Sequence, residues 1–309
     1  MGLNFVKYRR IYFIFSGILF IASVLALIFW GLKPGIEFTG GSLLELEYKD
    51  ARPSNEQIME KLKDFDLGSV SVQPIGGRGI LIRMKDISEE THQQIFSVLS
   101  QEQVLEGDEL AITIMGVEEK RFEAVGPLIG RELKEKTATA AVVSLILMII
   151  YIAFAFRKVQ KPVSSWIYGF ISFIALCHDI FIPLGVFSFL GKFYNIEITI
   201  PVITALLTVL GSSINNTIVV FDRIRENLLR RGGTFEEIVN NGMSQTLVRQ
   251  INTSLAMLLS VSAIYFFGGE TLKYFALALM LGIAAGTYSS FFVAGPLLVT
   301  WHRLRHRTG

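Results

Sequence analysis

Cysteine is almost missing from this chain. Cys177 stands alone, so the sequence holds neither a disulfide framework nor a cysteine-built metal centre, and a small buried side chain accounts for it. Charge is scarce as well: 18% of residues are charged, where a soluble domain carries roughly a quarter. With 51% hydrophobic residues, that balance excludes an ordinary soluble enzyme of this length. The formal net charge of +2 makes no case for a nucleic-acid partner. Low-complexity segments are lacking too.

What is abundant is apolar sequence in long blocks. A run of about 20 apolar residues crosses a bilayer core of about 30 Å. Six such blocks are legible: Ile11 to Trp30, Thr137 to Phe156, Ser164 to Leu190, Ile196 to Phe221, Leu247 to Phe267 and Lys273 to Thr300. The first is too long for the apolar core of a signal peptide and runs into Gly-Leu-Lys-Pro without a small-residue cleavage site, so it reads as a retained signal anchor. Basic residues gather in four places. Lys7, Arg9 and Arg10 precede span one; Arg157, Lys158 and Lys161 separate spans two and three. Arg223, Arg225, Arg230 and Arg231 separate spans four and five, and Arg303, Arg305 and Arg307 follow span six. The opposite loops, Gly191 to Asn195 and Gly268 to Leu272, hold only Lys192. The positive-inside rule then places both termini in the cytoplasm and residues 31 to 136 outside it.

That outer segment is rich in Glu, Asp, Lys and Gln and shows short periodic elements, as a folded soluble domain does. Ser42 to Tyr48 reads as a strand, and Ser54-Asn-Glu-Gln57 is a capping box opening a helix through about Phe65. Ser69 to Ile75 and Gly79 to Met84 read as a hairpin across Gly76-Gly-Arg-Gly79. Ser88 opens a helix to about Ser100, with Ile95, Val98 and Leu99 at helical spacing, and Glu109 to Val117 supplies a last strand. The order β-α-β-β-α-β predicts a ferredoxin-like α/β domain, from about Ser42 to Met115, whose ends lie near one another. Further on, Arg223 to Leu229 extends span four as helix up to Gly232-Gly233, and Thr234-Phe-Glu-Glu237 caps a short surface helix before span five. One helix, a soluble domain and then five helices suggest half of a larger pump.

Ionisable residues inside spans are functional candidates, because a charge at a helix centre costs roughly 2.5–3.5 kcal/mol on insertion scales. Asp179, with His178 beside it, falls near the middle of span three. It is either a structural hydrogen-bonding group or one that takes up and releases a proton as its exposure changes. Span four carries a polar patch, Gly211-Ser-Ser-Ile-Asn-Asn-Thr217, whose Ser213, Asn215, Asn216 and Thr217 suit hydrogen bonding across helices. Arg249, Asn252 and Thr253 open span five; Arg249 is placed either to snorkel to the interface or to join a buried network.

Several motifs carry a family resemblance. Gly35-Ile-Glu-Phe-Thr-Gly-Gly41 follows span one, with Gly35, Glu37, Gly40 and Gly41 as its marks. Val125-Gly-Pro-Leu-Ile-Gly130 precedes span two, and Leu176-Cys-His-Asp179 with Gly185 lies in span three. Asn215-Asn-Thr-Ile-Val-Val-Phe-Asp-Arg-Ile-Arg-Glu-Asn227, Gln245-Thr-Leu-Val-Arg249 with Ile251-Asn-Thr-Ser254, and Gly286-Thr-Tyr-Ser-Ser290 follow in order. From about Gly35 to Leu298 the chain resembles the SecD/SecF family, on its SecF side, within the resistance-nodulation-division superfamily. Glu37 stands where that family has Asp.

The resemblance implies six transmembrane helices forming half of a pump, in the bacterial cytoplasmic membrane. It implies SecD and the SecYEG channel as partners, with YajC and YidC as further candidates, a preprotein handled on the extracytoplasmic side, and no cofactor beyond a coupling proton or sodium ion. Its coupling pair is an Asp in span four and an Arg in span five, which map to positions 216 and 249. Arg249 agrees, but position 216 is Asn, and an amide does not release a proton at physiological pH. Three accounts remain open: a substitution imitating a protonated Asp, coupling carried by Asp179 or by the SecD half, or sodium ligated by the amide oxygen. Asn216, Arg249 and Asp179, with His178, are expected to form one polar network joining spans three, four and five.

Two other functions are weighed against this one. A small-molecule or lipid exporter of the same superfamily should have about twelve spans and two large outer loops in one chain. An intramembrane protease built on Asp179 needs a second Asp within a span, and the sequence has none there.

Overall fold

The structure, a computed structural model, describes residues 4–106, 109–114, 116–155, 163–230 and 232–307. It divides into two units, Pro34–Lys136 and the helices formed by Met1–Lys33 with Thr137–Gly309. Arg157, Lys158, Lys161, Arg231 and Met115, used above for topology and for the domain boundary, lie outside the described residues.

In the smaller unit, the short helix α2 (Ile36–Thr39) leads into β1 (Gly41–Tyr48), α3 (Asn55–Lys61), β2 (Ser71–Ile75), β3 (Gly79–Met84) and α4 (Glu89–Leu99). β4 (Gln101–Glu106), β5 (Glu109–Ile114) and β6 (Val117–Val125) complete it. The four-stranded sheet runs β2-β3-β1-β6, every pair antiparallel. With one helix after β1 and another after β3, that is the ferredoxin-like topology. Both expected N-caps are present: Ser54 forms a full capping box with Gln57, and the Ser88 side chain accepts from the Thr91 amide. Alternation places Leu44, Leu46 and Tyr48 of β1 beside Ile80 and Ile82 of β3 under Ile58, Ile95 and Leu99 of the two helices. Each such side chain contributes about 1.5–3 kcal/mol through burial.

Three expectations are corrected. α3 ends at Lys61, with Leu62 as its C-cap, and does not reach Phe65. The segment Glu109–Ile114 pairs with Gln101–Glu106 in a separate two-stranded sheet, and the sheet's last strand is Val117–Val125. Its run Glu118-Glu-Lys-Arg121 disguised it. An edge strand tolerates such charges, and a bulge that skips Lys120 opposite Glu45/Leu46 breaks the alternation.

The third correction concerns the larger unit. Its helices are α1 (Arg9–Trp30), α5 (Pro127–Ala155), α6 (Ser165–Tyr194), α7 (Ile200–Arg230), α8 (Phe235–Phe267), α9 (Glu270–Ser289) and α10 (Gly295–Arg307). A π-helical turn, Ser290–Ala294, joins α9 to α10, so together these form the sixth span. Among the described residues, six stretches are long and apolar enough to cross a membrane. α7 does run on to Arg230, and Thr234 does form a capping box with Glu237. The helix so capped is continuous with span five, however. Asn240-Asn-Gly242 looks like a break, but α8 holds through it because Gly242 lies against α7, where a Cβ would come 2.7 Å from Ile224.

Candidate functional site: a polar core inside three spans

α6, α7 and the α9–α10 span have about half of their apolar stretches buried, against 6% for spans one and two and 11% for α8. The three inner spans therefore enclose the polar residues. Small residues let them approach closely: a Cβ on Gly286 of α9 would lie 3.0 Å from the Ser213 side chain of α7.

At their centre Asp179 of α6 is completely buried. Its Oδ2 accepts from Ser289 Oγ at 2.7 Å and from Ser213 Oγ, and its Oδ1 lies 3.0 Å from His178 Nδ1. Among the described residues no Lys or Arg pairs with it. Pro183 stands four residues on and lacks the N–H that would bond the Asp179 carbonyl, which loosens α6 at this turn. The His178 ring lies nearly parallel to Tyr288, with centroids 6.0 Å apart, and Tyr288 Oη accepts from Ser16 Oγ of α1 at 3.1 Å. His178 Nε2 is buried without a hydrogen-bond partner among the described residues.

A second cluster follows one turn along α7. Gln250 of α8 donates to the backbone carbonyl of Asn216 at 2.5 Å and accepts from Ser290 Oγ at 3.2 Å. Ser254 and Thr287 share a bond of 2.6 Å beside it. The two clusters meet where α9 passes into the π turn, since Ser289, the last residue of α9, belongs to the first and Ser290, the first residue of the turn, to the second. A π turn shifts helical phase, and such turns recur at functional sites.

Asp179, His178 and Ser213 thus meet. Asn216 and Thr217 are buried on α7, with only the backbone of Asn216 bonded to Gln250, while Asn215 is exposed. Arg249, Asn252 and Thr253 face outward on α8, and the Arg249 side chain makes no hydrogen bond or ion pair among the described residues. The expected network of Asn216, Arg249 and Asp179 is therefore not what is assembled. Gln250 takes the inward face at this turn of α8, and Arg249, about 100° around the helix from it, faces outward. Gln250, Ser289 and Ser290 were missed as site residues, although two adjacent serines inside a span and a Gln beside a span-opening Arg were visible signals.

The motif after span one has a separate, structural setting. Gly35 is the N-cap of α2, Glu37 is buried within it, and Gly40 and Gly41 take φ of 76° and 125°. A Cβ at Gly40 would come 2.8 Å from Pro127, and one at Gly130 would come 2.8 Å from the Gly40 nitrogen. Two motifs almost ninety residues apart thus pack backbone to backbone.

Comparison with known proteins places this architecture. The family model described as protein export membrane protein SecD/SecF, C-terminal, matches residues 108–304, and the SecD/SecF GG motif matches residues 26–51. The chain belongs to the SecD/SecF family. It is 39% identical to the protein translocase subunit SecF of Thermobaculum terrenum, over 97% of this chain and 94% of that one. It is 36% identical to the protein translocase subunit SecDF of Thermus thermophilus, over 89% of this chain but 35% of the relative. A crystal structure of SecDF from the same organism, described as a translocon-associated membrane protein, superposes with a TM-score of 0.79 at 33% identity, covering 98% of this chain and 39% of that one. A multi-pass membrane protein of this family has a role in protein export.

Proposed function

We propose that this chain is one half of an ion-driven export motor. With a SecD-like half it passes protons, or sodium ions, across the bacterial cytoplasmic membrane and turns that flow into late preprotein movement out of the SecYEG channel. SecDF relatives of which this chain covers 35–39% support a SecD-like partner. Arg9, Arg10 and Arg303 at one end of the bundle support termini in the cytoplasm. YajC and YidC remain candidate neighbours.

One observation carries the reading: Asp179 is wholly buried inside a span and held by two hydroxyls and an imidazole, with no Lys or Arg paired to it among the described residues. A charge at a helix centre costs roughly 2.5–3.5 kcal/mol on insertion scales, and hydrogen bonds to a charged group offset such a cost. Hydroxyls serve the charged and the neutral carboxyl alike, because each can turn to donate or accept. His178, whose Nδ1 lies 3.0 Å from Oδ1, is the neighbour with which Asp179 exchanges a proton.

The test is export in a strain lacking its own SecF, with the ion gradient present or collapsed. Asp179→Asn is expected to abolish the gradient-dependent part while the protein still inserts. Should Asp179→Asn export normally, and Asn216→Asp raise export in a way that Arg249→Ala cancels, coupling lies at 216.

A further inference from the structure

We infer that the end of the bundle where α1 and α8 begin and α10 ends is a binding site for the headgroup of an anionic phospholipid. A cavity of about 610 Å³ opens there, lined by Lys7, Arg9, Arg10 and Arg303 together with Glu236 and Glu237. The Asp179 cluster uses none of these residues.

The two carboxylates are already committed. Glu236 is held by Nε and Nη2 of Arg303, and Glu237 accepts from the Thr234 amide at 2.9 Å to close the helix cap. Lys7 and Arg10 are exposed, and among the described residues neither pairs with a carboxylate; the Lys7 ammonium only stands over the Tyr8 ring at 5.6 Å. Arg9 donates to the Val6 carbonyl at 3.3 Å and shares the Glu236 carboxylate's field with Arg303, so four cations face two carboxylates. The cavity is therefore net cationic, and its cations face a single space.

It is also held in shape. The Phe5 amide donates to Asn240 Oδ1 of α8 at 2.7 Å, while Phe5 and Val6 are buried, Phe5 against Phe291 and Phe292. The segment bearing Lys7 is thus pinned to the bundle instead of trailing from it. Basic pockets between helices at a membrane surface suit lipid headgroups.

A lipid fits better than free phosphate because of what lies beside the cavity. Ile11, Ile14 and Ile18 continue from Arg10 as an exposed apolar stripe on α1, at three- and four-residue spacing. A phosphate seated among Lys7, Arg9 and Arg10 would have its acyl chains descend along that stripe.

The experiment uses the full chain in detergent, stripped of lipid, and reads bound lipid by intact-mass measurement alongside the unfolding midpoint. Phosphatidylglycerol is expected to bind and raise the midpoint; phosphatidylcholine and millimolar sodium phosphate are not. Lys7→Gln with Arg10→Gln should weaken phosphatidylglycerol about tenfold or more. Because that pair also bears on insertion, Glu236→Gln provides the opposite reading, and removal of the carboxylate should tighten phosphatidylglycerol severalfold. Equal binding of phosphatidylcholine, or an equal shift from phosphate alone, would overturn the lipid assignment. So would wild-type affinity in both variants.

Discussion

In the smaller unit, His92 sits between Glu89 at 3.1 Å and Glu119 at 3.0 Å, its ring stacked 3.7 Å from that of Phe122. In the helical unit, His178 sits against Asp179. Both pair an imidazole with carboxylate, yet the Glu89 and Glu119 side chains are 69% and 32% exposed and that of Asp179 is 0%. Water reaches both Glu carboxylates although the His92 ring is itself buried, so those two charges are inexpensive and say little about function. The Asp179 carboxylate is fully buried, and its polar contacts come from Ser213 and Ser289 on neighbouring spans and from His178 on its own span. An ionisable group is informative in proportion to what its surroundings demand for keeping it.

The comparison predicts that the smaller unit depends on apolar packing and the bundle centre on hydrogen bonds. The largest effect is expected at Ile82→Ala, where truncation of a fully buried side chain should cost about 2–5 kcal/mol. Proteolytic susceptibility of residues 34–136 would register it, with the helices unchanged. If the helices loosen too, the two units do not stand on separate cores.

A smaller loss is expected from Ser213→Ala, which removes one donor to Asp179 and should cost about 1.5–3 kcal/mol. Gradient-dependent export should fall in part and return with Ser213→Thr. An unaltered rate would mean that the hydroxyl contact is incidental.

The least effect concerns pH. Glu89 is held below the usual carboxylate range, first by the Gln93 hydrogen bond and then by that of His92. A lowered carboxyl value stabilises the fold above the ordinary range and ceases to do so as pH falls through the lowered value. Amide protection at the start of α4 should therefore decline on acidification below about pH 4, and Glu89→Gln should remove that dependence. An identical decline in the variant would place the acid sensitivity elsewhere.

The spans, the capping boxes at Ser54 and Thr234, the hairpin across Gly76 and the ferredoxin-like order were all legible, because each depends on local periodicity or cap chemistry within a few residues. The charged edge strand Val117–Val125 was not. Its pairing with β1 is decided some seventy residues away, and its own run of charges lacks the alternation of a buried strand.

Of the candidate site, the sequence singled out Asp179 and His178 because an ionisable pair inside an apolar run stands out by cost alone. Hydropathy likewise determined that the chain enters a membrane, and its ordered motifs determined the family. Only the tertiary structure decided which hydroxyls reach the carboxylate and that Gln250, not Arg249, turns inward. Helical phase settles those choices, and here it is set by Pro183 in α6, by the close approach of Gly286 to Ser213, and by the π turn after Ser289. None of these has an effect that can be measured along the chain, since each acts through the packing of one helix against another.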